Sequence, residues 1–146
     1  MAGRAAAWFS PPSPGDIVWC RFPQRGIPGP GPKSRPALVT SVGEIGGQPT
    51  AFVAYGTSQN IDRLFPGEFT IASTEHSAFD AAGLTRSTKF DLARLFELDY
   101  NDRWFAIAPG TPHGQTPQLG ILHPSLMRRA KATYDAATRS TSRDRR

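Results

Sequence analysis

Short runs of apolar and β-branched residues, separated by turn residues, dominate the middle of the chain. Each run is four to seven residues long and is bounded by proline, glycine or small polar residues, which is typical of strands in a β-rich domain. The predicted strands are residues 16–22, 36–42, 50–55, 68–72, 104–107 and 119–122.

Residues 87–98 (STKFDLARLFEL) fit two patterns. Leu92, Leu95 and Phe96 have the i, i+3, i+4 spacing of a short helical stripe, whereas an alternating apolar pattern favours a strand. We predict a strand for at least residues 87–93, and one or two helical turns for residues 77–83.

The last element is an amphipathic helix. Pro124 has the position of a first helical residue, and apolar residues recur from Leu126 to Ala137 at helical spacing. The order of elements predicts an α+β, mainly β fold, barrel-like, with a C-terminal helix and no βαβ repeat.

The two ends of the chain differ from this middle part. Residues 1–14 and 138–146 have no sustained apolar period, so we predict a flexible N-terminal extension and a basic disordered tail around one domain at 15–137. Residues 23–34 hold four prolines and three glycines, and their composition predicts a semi-rigid excursion outside any ladder.

The formal charge of +5 is unevenly distributed. Seven basic and two acidic residues lie in 128–146, so the tail carries the whole excess and the remainder is formally neutral. The more informative group is local: Arg21, Arg25, Lys33 and Arg35 share one window without an acidic residue. This window can attract an anion although the domain is neutral.

Several classes of protein and site are disfavoured. The lone Cys20 is expected to be a buried thiol, and no Cys/His cluster has metal-site spacing, so we expect neither metal nor cofactor. No apolar run has the length of a membrane span, and residues 1–14 have no signal-peptide core, which predicts a cytoplasmic protein. The three histidines lie in loops, where they are seldom catalytic.

Two strand ends carry candidate chemistry. Arg35 lies where the proline-rich loop becomes a strand, so its backbone is held while its guanidinium can clamp a phosphate or pair with a carboxylate. Thr57, Ser58 and Gln59 follow a buried strand, where their polar groups either complete a turn or hold a phosphate or a ribose 2′-OH.

The ordered series of segments resembles the PemK/MazF family of toxins from toxin–antitoxin modules. Residues 15–19 (GDIVW), 33–39 (KSRPALV) and 53–59 (VAYGTSQ) are similar to the family's first strand, arginine–proline strand and threonine-containing strand end. Residues 82–98 and 119–122 are similar to later family segments, so the resemblance covers about 15–134.

The resemblance implies a small, SH3-like, partly open antiparallel β-barrel that forms a homodimer. It implies a metal-independent endoribonuclease acting on single-stranded RNA and held inactive by a cognate antitoxin protein. The related CcdB-type toxins share the fold and do not cut RNA, so a fold alone does not decide the chemistry.

Individual roles follow from the matched positions. The resemblance implies that Arg35 stabilises the charge of the phosphorane-like transition state and donates to the leaving oxygen, and that Thr57 positions the scissile phosphate or 2′-OH. Lys33, Ser58 and Gln59 are expected to bind substrate. Lys89 and Asp91 match an arginine and an acid that some members use as acid–base partners, and a lysine there loses the bidentate fork.

Two alternatives to the nuclease stay open. One is a catalytically silent barrel that binds a protein or nucleic acid, and the other is a nucleic-acid binder that works through its basic tail.

Overall fold

The computed structural model describes residues 9–23, 26, 28–108 and 116–144, with the backbone alone for Pro32 and residues 140–144. This part of the chain forms six strands and two helices. In chain order they are β1 (Asp16–Pro23), β2 (Pro30–Ile45), β3 (Gln48–Thr57), β4 (Glu68–Ile71), α1 (His76–Ala82), β5 (Thr88–Asp99), β6 (Gln118–Ile121) and α2 (Pro124–Asp144).

All six strands join in one sheet with the order β4-β5-β3-β2-β1-β6. Every pairing between these strands is antiparallel, and the sheet is not closed, because β4 and β6 remain its two edges. The prediction of an α+β, mainly β fold is confirmed.

The segment predicted from residue 87 onward is a strand and not a helix: β5 runs over Thr88–Asp99 and pairs with β3 on one side and β4 on the other. The predicted turns at 77–83 are helix α1, which ends at Gly83 in the left-handed conformation (φ 70°).

The prediction of an excursion outside any ladder is wrong for residues 30–34. Strand β2 already begins at Pro30, and this stretch pairs with β1 from Pro23↔Pro30 to Arg21↔Ser34. The pairing of β2 with β3 starts only at Ala37↔Tyr55. Residues 30–34 therefore have a partner strand on one side, and an edge position tolerates the missing N–H of proline.

The predicted strand at 104–107 is also wrong. A turn occupies residues 102–104, and the segment makes only the isolated bridge Cys20↔Phe105. Its backbone still contacts β1, since Arg21 N–H donates to the carbonyl of Trp104 at 2.7 Å. β6 pairs only with the start of β1, so this segment takes the rest of that edge.

The core has two parts, one on each face of the sheet, because adjacent residues of a strand point to opposite faces. Ile17 and Leu38 belong to the first cluster, which the helices cover through residues such as Leu126. Val18 and Ala37 belong to the second cluster, which is completed by the aromatic residues of the 100–105 segment. Cys20 lies in this second cluster, fully buried, as predicted.

Two glycines allow α1 to approach β6 at backbone contact. A Cβ placed on Gly83 would lie 2.1 Å from the carbonyl oxygen of Leu119, and one on Gly120 would lie 2.2 Å from that of Ala81. No side chain fits between these backbones, so the segment after α1 is held directly against the sheet edge.

The terminal regions are partly described. Pro12 is buried and Phe9 packs against the second core cluster, while the first eight residues of the predicted extension lie outside the described residues. Helix α2 continues past residue 137, the predicted end of the domain, to Asp144. No helix in the described part of the chain is long and apolar enough to span a bilayer.

Candidate functional site

Arg35 is fixed by the β1–β2 ladder, in which it pairs with Cys20. Its guanidinium carbon lies 5.2 Å from the centre of the Phe22 ring, within the range of a cation–π contact. Phe22 stacks on Tyr55 at a centroid distance of 3.9 Å. No carboxylate among the described residues forms an ion pair with Arg35, so its charge rests on an aromatic face and stays available to an anion.

Two buried titratable groups near Arg35, the Tyr55 phenol and the Cys20 thiol, resist ionisation. Burial raises the pKa of the Tyr55 phenol, and its hydroxyl donates to the carbonyl of Arg21 at 2.8 Å. Burial also raises the pKa of the Cys20 thiol. Both groups stay neutral near neutral pH, so neither offsets the positive charge of Arg35.

Thr57 is the last residue of β3. The β2–β3 ladder begins at Ala37↔Tyr55, so Arg35 and Thr57 each lie two residues beyond its end. The Thr57 hydroxyl accepts a hydrogen bond from the N–H of Gln59 at 3.1 Å. Its own proton has no acceptor among the described residues and can be donated to a ligand. The turn and the ligand roles considered for this residue are thus compatible.

A cleft with a volume of about 450 Å³ opens at the end of β3, next to Arg35 in β2. It contains Lys33, Arg35, Thr57, Ser58 and Gln59, five of the seven residues expected at the site. Ser58 and Gln59 are exposed, as is Lys33. The described lining consists of residues 33–36, 56–59 and 83–86 with Trp19, Thr88 and Leu119.

The cleft is cationic. Lys33, Arg35 and Arg86 line it, and none of its described lining residues is an aspartate, a glutamate or a histidine. Its volume lies within the range of about 300–1,000 Å³ that is usual for small-ligand sites. The arrangement suits an anionic ligand that also carries a flat apolar group, because Trp19 and Leu84 contribute apolar wall.

Lys89 and Asp91 do not belong to the described lining of the cleft. Lys89 is the cross-strand partner of Thr57, but its side chain is buried and its ammonium lies 3.0 Å from Glu68 Oε1. The same ammonium donates to the carbonyl of Arg63 at 2.8 Å. Asp91 Oδ1 accepts a hydrogen bond from the N–H of Ala93 at 3.0 Å.

Arg86 and Trp19 line the cleft although the residue patterns did not single them out. The available signal for Arg86 was its place before a strand and just after the glycine that ends α1, which parallels the position of Arg35. Trp19 carried no such signal, because an aromatic residue inside an apolar strand is expected to lie in the core. Arg25, the remaining member of the basic window, lies outside the described residues.

The described part of the chain contains no group of three or more His, Cys, Asp or Glu side chains able to hold a metal ion. His123 is engaged locally, since its Nδ1 lies 2.7 Å from the Ser125 hydroxyl.

Comparison with known families identifies most of the chain. A family model described as PemK-like, MazF-like toxin of type II toxin-antitoxin system matches residues 13–128. A search of curated proteins found no match. The matched region contains the six strands and α1 described above and all of the described residues that line the cleft.

Proposed function

The chain belongs to the PemK-like, MazF-like toxins of type II toxin–antitoxin systems, and on this basis we propose that it is a metal-independent endoribonuclease that cuts single-stranded RNA. It acts on RNA in the cytoplasm as a homodimer, and a cognate antitoxin protein restrains it. The observation that carries the proposal is that Arg35 and Thr57 line one cationic cleft at the end of β3.

In this proposal Arg35 and Thr57 divide the work on the scissile phosphate. The guanidinium donates hydrogen bonds to the non-bridging oxygens and stabilises the negative charge that grows there in the transition state. The Thr57 hydroxyl, whose oxygen already accepts from Gln59 N–H, donates to the phosphate and orients it. Lys33, Ser58 and Gln59 bind the flanking nucleotides.

The reaction is an internal transfer. The ribose O2′ forms a bond to phosphorus, the bond from phosphorus to O5′ breaks, and the products are a 2′,3′-cyclic phosphate and a 5′-hydroxyl. The proton of the 2′-OH leaves to a base, and a proton ends on O5′. Asp91 with Lys89 is the acid–base pair that the family resemblance implies, and solvent water is its competitor for this step.

Replacement of Asp91 with Asn separates these two routes. If Asp91 takes the proton, the variant loses about 10²–10⁴-fold in cleavage rate and the loss depends on pH. If water takes it, the rate changes little and Asp91 has only its local contact with Ala93.

The main test is cleavage of RNA by the purified protein in EDTA. We expect a cyclic phosphate at the new end and no product with Arg35→Ala, and induced expression should arrest growth only with the unaltered chain. An absence of cleavage across varied single-stranded RNAs, or full activity of Arg35→Ala, overturns the proposal.

One observation favours a second candidate, a catalytically silent binding module. The described lining of the cleft offers no carboxylate or imidazole as a base. Recovery of a specific protein partner from nuclease-treated lysate, together with the absence of cleavage, supports this alternative.

A further inference from the structure

We propose that Arg86 and Trp19 form a nucleotide subsite next to Arg35, in which Arg86 binds the phosphate adjacent to the scissile one and Trp19 stacks on the base. This inference rests on the proposed function, since it assigns single-stranded RNA to the cleft. It adds two residues to which the sequence patterns assigned no role.

Arg86 is a free cation on a rigid support. Its side chain is exposed, and no carboxylate among the described residues forms an ion pair with it. Its carbonyl accepts a hydrogen bond from the Thr88 hydroxyl at 2.8 Å. An arginine without a carboxylate partner, on a segment whose backbone is held, is well suited to bind a phosphate.

The rigidity comes from the contact between α1 and β6. Gly83 lies against the carbonyl of Leu119, and Gly120 lies against that of Ala81, so the chain leaving α1 has no room to shift toward the sheet. Arg86 follows Gly83 by three residues and lines the same cleft as Arg35. Two arginines from distant parts of the chain therefore serve one cleft.

Trp19 supplies an aromatic wall that is also held in place. It packs partly against the first core cluster, and its backbone bonds on both sides, from its N–H to the carbonyl of Pro117 and from the N–H of Ala106 to its own carbonyl. Trp19 is part of the cleft lining together with Leu84. Single-stranded RNA presents unpaired bases that stack on such rings, whatever their sequence.

The alternative for Arg86 is a solvated side chain with no ligand. The cleft argues against it, because three cations line one concave surface without a described acid, and like charges repel unless an anion joins them. A ligand with two phosphates and a base can bind Arg35 and Arg86 through its phosphates and stack its base on Trp19.

The experiment measures binding of a short, fluorescein-labelled, fully 2′-O-methylated RNA of mixed sequence, which cannot be cleaved because it has no free 2′-OH. Dissociation constants are obtained by fluorescence anisotropy over a range of salt concentrations. The logarithm of the association constant falls linearly with the logarithm of the salt concentration. For single strands, each lost phosphate contact lowers the magnitude of this slope by about 0.7.

We expect Arg86→Gln to lower that slope by about 0.7. Arg128→Gln is the matched control, since it removes the same charge from an exposed position on α2 outside the cleft, and it should leave the slope unchanged. Trp19→Leu should weaken binding about 5- to 150-fold without changing the slope, the equivalent of about 1–3 kcal/mol for one stacked base. Trp19→Phe keeps a stacking surface, so it should retain most of the affinity and covers the case that Trp19→Leu fails to fold.

The subsite is refuted if Arg86→Gln leaves the slope unchanged, if Arg128→Gln lowers it equally, if Trp19→Phe binds as weakly as a variant without the ring, or if the unaltered protein does not bind the probe. Cleavage of unmodified RNA is measured separately. Binding with the expected slopes but no cleavage supports the subsite and removes the nuclease, whereas cleavage with an unchanged slope for Arg86→Gln removes the subsite alone.

Discussion

Arg35 lines the same cleft as Thr57, and Lys89 is the cross-strand partner of Thr57, yet the surroundings of these two cations differ completely. The guanidinium of Arg35 rests on the ring of Phe22 and lines an open cleft. The ammonium of Lys89 is buried, is paired with Glu68 at 3.0 Å and donates to the carbonyl of Arg63.

The difference separates a cation available for chemistry from a cation that supports the structure. A buried lysine needs its carboxylate partner, because an uncompensated charge away from water is costly. The partner also ties the loop that follows β3, since Glu68 Oε1 accepts a further hydrogen bond from the N–H of Phe65 at 2.8 Å. Lys89 thus holds the loop that begins with the Thr57–Gln59 turn, while Arg35 faces the ligand.

The largest expected effect is on the rate at Arg35. Arg35→Gln should lower single-turnover cleavage about 10²–10³-fold, as is typical for the loss of one donor to a developing negative charge. Its free energy of unfolding, measured in urea, should change by only about 1 kcal/mol or less, because only a partly exposed cation–π contact is lost. A large loss of stability would contradict the contrast with Lys89.

Lys89→Gln should do the reverse and destabilise the fold by about 3 kcal/mol, because the carboxylate of Glu68, whose side chain is only 13% exposed, is left without its partner. Urea unfolding measures this effect, and Arg94→Gln is the control, an exposed arginine on the same strand. A double variant that replaces both partners with apolar residues, Lys89→Met with Glu68→Leu, should regain much of the stability that Lys89→Gln loses. If Lys89→Gln is as stable as the control but loses cleavage, Lys89 acts directly on substrate.

Phe22→Leu tests whether the aromatic face positions Arg35. A cation–π contact of about 0.5–1 kcal/mol corresponds to an approximately 2- to 5-fold lower cleavage rate, with the affinity for uncleavable RNA nearly unchanged. Phe22→Tyr keeps the ring and should keep the rate. An equal loss in both variants would show that Phe22 contributes through packing on Tyr55 alone.

The smallest effect is expected at the surface ion pair between Glu75 and Arg129. Glu75 bonds to the guanidinium of Arg129 and to the N–H of Ala72, and these bonds lower the pKa of its carboxyl. Because the carboxyl has a lower pKa in the folded than in the unfolded protein, it stabilises the fold when the pH is above the unfolded-state pKa. This stabilisation is lost as the pH falls through the folded-state pKa. Because the pair is partly exposed, Glu75→Gln should cost at most about 1 kcal/mol at neutral pH.

Urea unfolding at neutral and acidic pH checks this pH dependence. The difference between Glu75→Gln and the unaltered protein should vanish once the pH is well below 4.5, the ordinary value for this carboxyl. Glu44→Gln, at an exposed glutamate in β2, controls for the loss of a negative charge. A difference that persists in acid would mean that the carboxylate contributes nothing through its charge.

Much of the fold could be predicted because strands and helices leave local periods in the sequence. The run of β-forming residues over 16–22, which lies in β1, and the helical stripe after Pro124 are examples. The predicted strand at 104–107 failed because Trp104 and Phe105 pack in the second core cluster from a turn and an irregular segment, which local composition cannot distinguish from a strand. Proline content likewise concealed that residues 30–34 are paired on one side.

The sequence by itself determined that this is a mainly β domain, and it pointed to Arg35 and Thr57, because a strand end fixes a backbone while freeing a side chain. Only the tertiary structure decided which cations share the cleft. Burial against Glu68 removed Lys89 from the described lining, and the contact of Gly83 with β6 brought Arg86 into it. Both outcomes depend on contacts between residues far apart in the chain, which leave no period in the sequence.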